Sequence, residues 1–213
     1  MNILLIDTSA SCAEFGYSSG NEIIHSYKNC DRNSADTLAF RIDRFYKEAG
    51  IKPFETEIVS LSNGPGSFTG LRIGLAFAKG FCFAANSKLL KISSLDILAE
   101  RAGAIEHKFI AVICSNPGEG EYYYAVYENI NGNTERVSDY SIALSDFIAA
   151  MNFPVVSDKF LPEHFESTIE LNMLTSSSLS SHLRIAIRRA GLGVFADISN
   201  AEPYYMKEFT IRK

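Results

Sequence analysis

The stretch Asn63–Gly80, NGPGSFTGLRIGLAFAKG, decides the fold of this 213-residue chain. The glycines and the proline at its beginning predict a tight turn, because they favour backbone angles that interrupt regular structure. A hydroxyl at Ser67 or Thr69 then predicts the N-terminal cap of a helix. We expect this helix to occupy about residues 68–85.

The predicted helix is apolar around most of its circumference. Gly70, Gly74 and Ala78 recur every four residues and so predict a smooth groove along one face. The larger apolar surface lies elsewhere and is formed by Ile73, Phe77, Phe81 and Ala84. Because one sheet covers only one side of a helix, a second element must fill the groove. This element is either a helix of the same chain or a partner subunit.

Hydrophobic patterns on both sides of this stretch predict the order βββαβαβα over residues 1–104. Strands are expected at about 3–7, 12–18, 22–28, 58–62, 89–92, 109–114, 121–127, 134–138 and 155–156, and helices at about 35–49, 68–85, 94–102, 145–151 and 178–190. Three antiparallel strands followed by parallel strands with helical crossovers are typical of a ribonuclease-H-like half-domain. Residues 105–213 resemble a smaller, degenerate copy. We therefore predict an α/β actin-like ATPase (ASKHA) fold whose second half-domain is truncated.

Charge and composition argue against several classes of protein. The formal net charge of −5 argues against a stand-alone nucleic-acid binder, which usually presents a basic face. No uninterrupted apolar run reaches the roughly 18–20 residues that span a bilayer, since Arg72, Lys79 and several glycines interrupt the central helix. The N-terminus lacks the basic start of a signal peptide. We therefore expect a cytoplasmic protein that does not enter a membrane.

The cysteines and histidines give no sign of a metal site. Cys12, Cys30, Cys82 and Cys114 are scattered and form no CxxC pair. Cys82 and Cys114 lie in apolar segments and are expected to be small core residues, so the cysteine usage indicates a reducing compartment. The histidines are His25, His107, His164 and His182. Their spacing fits no metal motif, and we predict no bound metal.

One short motif has the composition of a phosphate-binding turn. Asp7, Thr8 and Ser9 follow the first strand, where an aspartate of the actin-like superfamily holds a hydrated metal. The counterpart in the second half is the loop Cys114–Gly120, which contains no aspartate. We therefore interpret the turn as vestigial and predict no catalytic residue. The alternative is a stand-alone ATPase or small-molecule kinase.

Three arginines cluster near the end of the last predicted helix. Arg184, Arg188 and Arg189 suit the negative end of the helix dipole there. A contact with RNA or with an acidic partner is the second interpretation of the cluster.

Five segments together resemble the TsaB (YeaZ) family. They are Met1–Ser9, Asn63–Gly80, Ser93–Leu95, Glu121–Tyr123 and Ala201–Tyr205. The resemblance implies a bacterial-type, non-catalytic paralogue of the transferase TsaD, which works with the ATPase TsaE to form N6-threonylcarbamoyladenosine in tRNA. It implies contact with tRNA only through the complex. It also implies no cofactor of the chain's own, while a nucleotide at a subunit interface is left open.

The resemblance further implies where the partner binds. The first two helices of the chain would pack against their equivalents in TsaD as a four-helix bundle. A homodimer would use the same surface in the absence of TsaD. The expected contact residues are Leu38, Arg41, Phe45, Gly70, Arg72, Ile73, Gly74, Phe77, Ala78 and Phe81.

Overall fold

A computed structural model describes residues 1–31, 34–103, 105, 107–116, 118–157, 161, 165, 168–170 and 177–207 of the chain. One residue considered above, His164, lies outside the described residues. The strands are β1 (Asn2–Asp7), β2 (Ala13–Ser19), β3 (Glu22–Asn29), β4 (Ile58–Ser62), β5 (Lys88–Ile92), β6 (Phe109–Asn116), β7 (Glu121–Ile130), β8 (Asn133–Arg136), β9 (Ser141–Leu144), β10 (Val155–Ser157) and β11 (Thr168–Glu170). The α-helices are α1 (Leu38–Ala49), α2 (Phe68–Ala85), α3 (Ser94–Arg101), α4 (Ser145–Ala150) and α5 (Leu179–Gly191).

The first sheet has the strand order β3-β2-β1-β4-β5. The central strand β1 pairs antiparallel with β2 and parallel with β4, and β5 pairs parallel with β4. An antiparallel meander is thus extended by parallel strands that follow helical crossovers, which is the predicted ribonuclease-H-like arrangement. The predicted α/β fold class is confirmed.

The two faces of the first sheet are covered by different helices. Successive residues of β1 point to opposite faces. Leu4 and Ile6 pack in one core with side chains of α1 and α2. Ile3 and Leu5 pack in a second core with side chains of α5. The division into half-domains at 1–104 and 105–213 stays a prediction, and α5, which belongs to the second of them, packs its apolar stripe on the first sheet.

The second sheet has the order β11-β10-β6-β7-β8, with β9 also paired to β7. Helix α3 connects the cores of the two sheets. Leu95 and Leu98 of α3 pack with Phe109 and Tyr127 of the second sheet. Ile97 of the same helix packs in the core under the first sheet.

Helix α2 and the turn before it lie so close to the end of β1 that there is no room for a side chain between them. A Cβ atom at Gly66 would overlap the carbonyl oxygen of Ser9, and one at Gly70 would overlap the carbonyl oxygen of Thr8. At Gly74, a Cβ atom would overlap Oγ1 of Thr8. The Thr8 hydroxyl also donates a hydrogen bond to the Gly70 carbonyl, over 2.7 Å.

These contacts contradict the predicted open groove. Gly70, Gly74 and Ala78 are all buried, the last completely. The end of β1 fills the groove that they form, so neither a second helix nor a partner subunit is required there. The four-residue spacing is real, but its function is the close approach of α2 to the sheet.

The exposed small residues of α2 have the same four-residue spacing as the predicted groove, but they are shifted by two positions along the chain. Ala76, Gly80 and Ala84 are exposed at four-residue intervals. Phe83, beside them, is 86% exposed. The half-buried apolar residues that border this face are Ile73, Phe77 and Phe81.

Within the described residues, α2 is also the one helix that is long and apolar enough to cross a membrane. This criterion tolerates two charged residues, whereas the sequence prediction concerned an uninterrupted apolar run, which Arg72 and Lys79 break in α2. A single helix of this kind is weak evidence for a span, because core helices have the same composition. The buried side of α2 packs on the first sheet.

Two of the four cysteines form a disulfide that the sequence did not predict. Cys12 and Cys30 form a disulfide at the open end of the β2–β3 hairpin. The register pairs Ala13 with Asn29, which places the two cysteines opposite each other as the next pair. Their separation in the sequence concealed this proximity. Cys82 is buried in the core, as predicted.

Replacing a buried and an exposed glycine by alanine should have opposite effects. Gly70→Ala places a methyl group against the Thr8 carbonyl, and we expect it to lower the free energy of unfolding by about 1–3 kcal/mol. Gly80→Ala places a methyl group where no heavy atom lies within 4 Å, and we expect a gain of about 0.5–1 kcal/mol from helix propensity. Urea unfolding of both variants measures the difference. Equal midpoints would contradict the described packing of α2.

Candidate functional site

The turn after β1 is built around the carboxylate of Asp7. Oδ1 of Asp7 accepts hydrogen bonds from the backbone N–H of Ser9 at 2.9 Å and from the Ser9 hydroxyl at 2.7 Å. Both residues are buried. The carboxylate thus fixes the conformation of its own turn, as aspartates do in Asx turns.

A second buried carboxylate, Glu14 of β2, is linked to Asp7 through Ser178. The Ser178 hydroxyl lies 2.7 Å from Oε2 of Glu14 and 3.4 Å from Oδ2 of Asp7. The Ser178 N–H donates to Oε2 of Glu14 over 3.0 Å, and Lys28 lies 3.9 Å from Oε1. Sequence reasoning missed Glu14 and Ser178, because their side chains meet only after α5 has packed on the first sheet.

Serine hydroxyls connect Asp7 to the start of α3. The Ser62 hydroxyl donates to the Ser9 hydroxyl over 3.2 Å, and the hydroxyls of Ser62 and Ser94 lie 2.9 Å apart. A hydroxyl has one proton to donate. Because Ser9 donates to Asp7 and Ser62 donates to Ser9, the remaining bond requires Ser94 to donate to Ser62. The three protons therefore all point toward the Asp7 carboxylate.

A cleft of about 370 Å³ opens at this turn. Its walls come from the turn after β1, the turn before α2, α3 and the end of β6. Ser9 and Ser94 line the cleft, and their hydroxyl protons are engaged with Asp7 and Ser62. The cleft therefore presents oxygen lone pairs at this point, together with the carboxylate of Asp7. Arg101 on the α3 side is the cation among its lining residues.

The histidine of α5, His182, is completely buried. Its Nε2 lies 2.9 Å from the Ser60 hydroxyl, and its Nδ1 has no hydrogen-bond partner among the described residues. Burial lowers the pKa of His182 to about 4; the charge of Asp7 opposes this shift, and the charge of Arg189 adds to it. The imidazole is therefore neutral at pH 7. Over residues that the structure describes, no three His, Cys, Asp or Glu side chains form a group that would hold a metal ion.

The depressed pKa of His182 predicts acid destabilisation. The unfolded chain binds a proton at this residue below about pH 6.5, whereas the folded chain resists it down to about pH 4. Stability should therefore fall as the pH is lowered through this window, by up to about 1.4 kcal/mol per pH unit. Thermal unfolding between pH 7 and pH 4 tests this, with His182→Gln as the comparison. We expect a shallower decline for the variant, and parallel curves would refute the assignment.

The structure divides the ten predicted contact residues into two groups. Five are buried in the chain's own core, namely Leu38, Phe45, Gly70, Gly74 and Ala78. The other five are half-buried or exposed, namely Arg41, Arg72, Ile73, Phe77 and Phe81. The residues of the first group pack against the first sheet, because the apolar stripe of each helix faces that sheet. Partner contact stays a prediction for all ten residues, and in the described structure only the second group has surface available for it.

Sequence reasoning also missed residues that complete the exposed face. They are Ala76, Gly80 and Phe83, all exposed on α2. The four-residue spacing of Ala76, Gly80 and Ala84 was visible in the sequence, but it equals the spacing of the buried stripe. Periodicity alone does not say which of two such stripes faces the sheet.

The N-terminal end of this face is fixed by stacking. The Arg72 guanidinium lies 3.8 Å from the centre of the Phe68 ring, and its Nε donates to the Tyr205 hydroxyl over 3.0 Å. The rings of Phe68 and Tyr205 are 5.2 Å apart. The segment after α5 thus packs at the start of α2 and orders the exposed Arg72 side chain.

The arginines of α5 are paired within the chain. Arg184 and Arg188 contact the Glu100 carboxylate at 2.8 Å and 3.1 Å. Arg189 contacts Asp96 at 2.7 Å. Carboxylates of α3 therefore take the place of the RNA or acidic partner that was considered for this cluster.

The profile of one protein family matches most of the chain. It is described as TsaD, tRNA N6-adenosine threonylcarbamoyltransferase, and it matches residues 21–193. The chain belongs to this family. The predicted similarity to the TsaB (YeaZ) proteins within it is confirmed by curated relatives.

Two of these relatives are named tRNA threonylcarbamoyladenosine biosynthesis protein TsaB. The protein of Haemophilus influenzae is 25% identical over 59% of this chain and 53% of its own length. The protein of Escherichia coli is 24% identical over 60% of this chain and 55% of its own length. The chain thus spans about half the length of these curated relatives.

Solved structures of similar fold cover nearly the whole chain. YeaZ from Pseudomonas aeruginosa has a TM-score of 0.77 and 20% identity, over 96% of this chain and 99% of that one. A second Pseudomonas aeruginosa structure, described as an uncharacterized protein with similarity to peptidase YEAZ, has a TM-score of 0.78 and 20% identity, over 97% and 99%. At this identity, the likeness shows the fold.

Proposed function

We propose that the chain is a non-catalytic scaffold subunit for the formation of N6-threonylcarbamoyladenosine in tRNA. It binds a TsaD-type transferase through the exposed face of α2 and the adjoining part of α1. The biosynthetic role follows the names of the curated relatives. The observation that supports the scaffold role is the apolar face of α2, which the described residues leave uncovered.

The chemistry of this face suits another helix. Small residues at Ala76, Gly80 and Ala84 form a shallow groove, and a methyl group at Gly80 would have no heavy atom within 4 Å. Phe83 on one side is largely exposed. Exposed apolar patches of this kind mark protein contacts, and aromatic side chains often supply most of the binding energy.

Family membership favours a related partner. A TsaD-type protein would present equivalent helices, so the pair would form a pseudo-twofold contact between similar surfaces. The same face would accept a second copy of this chain when the transferase is absent. We further propose that TsaE joins the pair in the cytoplasm and that tRNA is contacted only through the complex.

The second candidate is a stand-alone ATPase or kinase, which the 370 Å³ cleft at Asp7 favours. The hydrogen bonds of the turn argue against phosphate there. The Ser67 N–H donates to the Ser9 carbonyl over 2.6 Å, and the Gly70 N–H donates to the Ser67 hydroxyl over 3.2 Å. These donors at the start of α2 are engaged within the chain, so they are not available to a phosphate. We propose no cofactor of the chain's own, and a nucleotide at a subunit interface is compatible with this role.

A bulky side chain in the exposed groove should block partner binding and leave the fold intact. We expect Gly80→Leu to raise the dissociation constant for the TsaD-type protein of the same organism at least about tenfold, because leucine fills the groove. Titration calorimetry of the purified proteins measures the effect. The matched control is Gly191→Leu, at an exposed position in α5 that also has open space around it.

Thermal unfolding of both variants separates binding from folding. The proposed contact is contradicted if Gly80→Leu is folded and binds like the control. A loss of binding in both variants would equally contradict the assignment to α2.

The pure chain should not turn over ATP. We expect no phosphate release above that of a heat-denatured sample, because the N–H groups of Ser67 and Gly70 at the start of α2 are engaged within the chain and are not available to a phosphate. A coupled phosphate assay at millimolar ATP and Mg²⁺ measures this. Turnover that disappears in Asp7→Asn would support the ATPase candidate instead.

A further inference from the structure

Two cysteines outside the proposed contact face form a disulfide. Cys12 and Cys30 are bonded across the open end of the β2–β3 hairpin. We propose that this pair is a reversible thiol-modification site, at which a small-molecule thiol attacks the sulfur of Cys30. The ligand class is a low-molecular-weight thiol such as glutathione. The site does not depend on the proposed scaffold function.

The direction of attack follows from exposure. Cys12 is only 6% exposed, whereas Cys30 is exposed at the end of β3. Exchange requires a thiolate to reach one sulfur of the disulfide, and access decides which sulfur is attacked. An external thiolate therefore reaches Cys30 first, and Cys12 is the leaving group.

The chemistry balances with a thiol as the only co-reactant. The attacking thiolate forms a bond to the sulfur of Cys30, the Cys12–Cys30 bond breaks, and Cys12 leaves as a thiolate that takes up a proton. A second thiolate then attacks the mixed disulfide at the external sulfur and releases Cys30. Two external thiols are oxidised to one disulfide, and the two cysteines are reduced to thiols.

The disulfide links the turn at the cleft to the end of the β2–β3 hairpin, so its reduction should affect both. Ser9 and Ser11 line the cleft, and Cys12 follows directly in the chain. Cys30 ends the hairpin on the side from which the chain continues to α1. The disulfide therefore holds the cleft turn to the exit of the hairpin. Reduction removes this tie while leaving the ladder from Ala13 to Ser19 in place.

The other two cysteines differ in environment. Cys82 is buried in the core, and burial raises its pKa to about 12, so it is neither accessible nor ionised at neutral pH. Cys114 is half-buried at the cleft and forms no disulfide. Modification should therefore distinguish Cys30 from Cys82 in the same sample, which supplies an internal control.

The test uses the full chain, glutathione as the probe, and two single variants. Oxidised glutathione is added to folded Cys12→Ser and Cys30→Ser, and adducts are located by peptide mass spectrometry. We expect a mixed disulfide on Cys30 in Cys12→Ser to form at least about ten times faster than one on Cys12 in Cys30→Ser, because of the difference in access. The unmodified chain is titrated with reduced glutathione, and its thiols are counted by alkylation.

A second measurement follows the structure. Hydrogen exchange at residues 10–13 should accelerate when the native chain is reduced, while exchange at residues 109–113 of β6 should not change. The loss of the cross-link should also lower the melting temperature by about 5–10 °C. Cys12→Ala/Cys30→Ala should reproduce both effects without any reductant.

Three results would overturn the proposal. The first is a native chain that contains four thiols under oxidising conditions, which would remove the disulfide itself. The second is a disulfide that glutathione opens only in denaturant, which would make it purely structural. The third is equal adduct formation on Cys12 and Cys30, which would remove the direction of attack.

Discussion

The structure depends on the contact between the end of β1 and the start of α2. Three glycines, Gly66, Gly70 and Gly74, lie against the backbone and side chain of Thr8 and Ser9 with no space for a Cβ atom. This contact sets the distance between α2 and the first sheet and determines which side of α2 is buried. It also gives the Thr8 hydroxyl a buried partner, the Gly70 carbonyl. Gly70 and Gly74 cost helix stability because they lie within α2, and the close packing offsets that cost.

The same contact divides the α2 segment into a buried side and an exposed side. On the buried side, the turn at Asp7 is closed by its own hydrogen bonds, and the start of α2 donates to Ser9 rather than to a ligand. On the exposed side, an apolar strip around Gly80 has no partner within the described residues. The close packing of α2 against the end of β1 is thus linked physically to the presence of a second, outward face. A helix held this tightly presents that face in a fixed orientation.

The sequence predicts much of this arrangement and fails at identifiable points. The bounds of α2 and the order of the first five strands follow from local signals, namely the glycine–proline turn, the Ser67 cap and the alternation of strand residues. Local signals do not tell which of the two small-residue stripes of α2 is buried. Both stripes have the same period, and only the position of the sheet distinguishes them. Likewise, Cys12 and Cys30 meet through a hairpin register, and Glu14 meets Ser178 through the packing of α5. Strand β9 was missed because it runs directly into α4, with no glycine or proline between them to mark the end of one element and the start of the next.

The two sheets are connected through the carboxylate of Asp96. Asp96 of α3 accepts hydrogen bonds from the hydroxyls of Tyr127 and Tyr140, at 2.9 Å and 2.8 Å, and an ion pair from Arg189 at 2.7 Å. One carboxylate thus joins the second sheet to the helix that covers the first. Burial and the charge of Asp96 raise the pKa of Tyr140 to about 12, so its hydroxyl remains a donor at physiological pH. These bonds tie the two sheets together through one side chain, so a surface carried by one sheet has a defined orientation relative to the other.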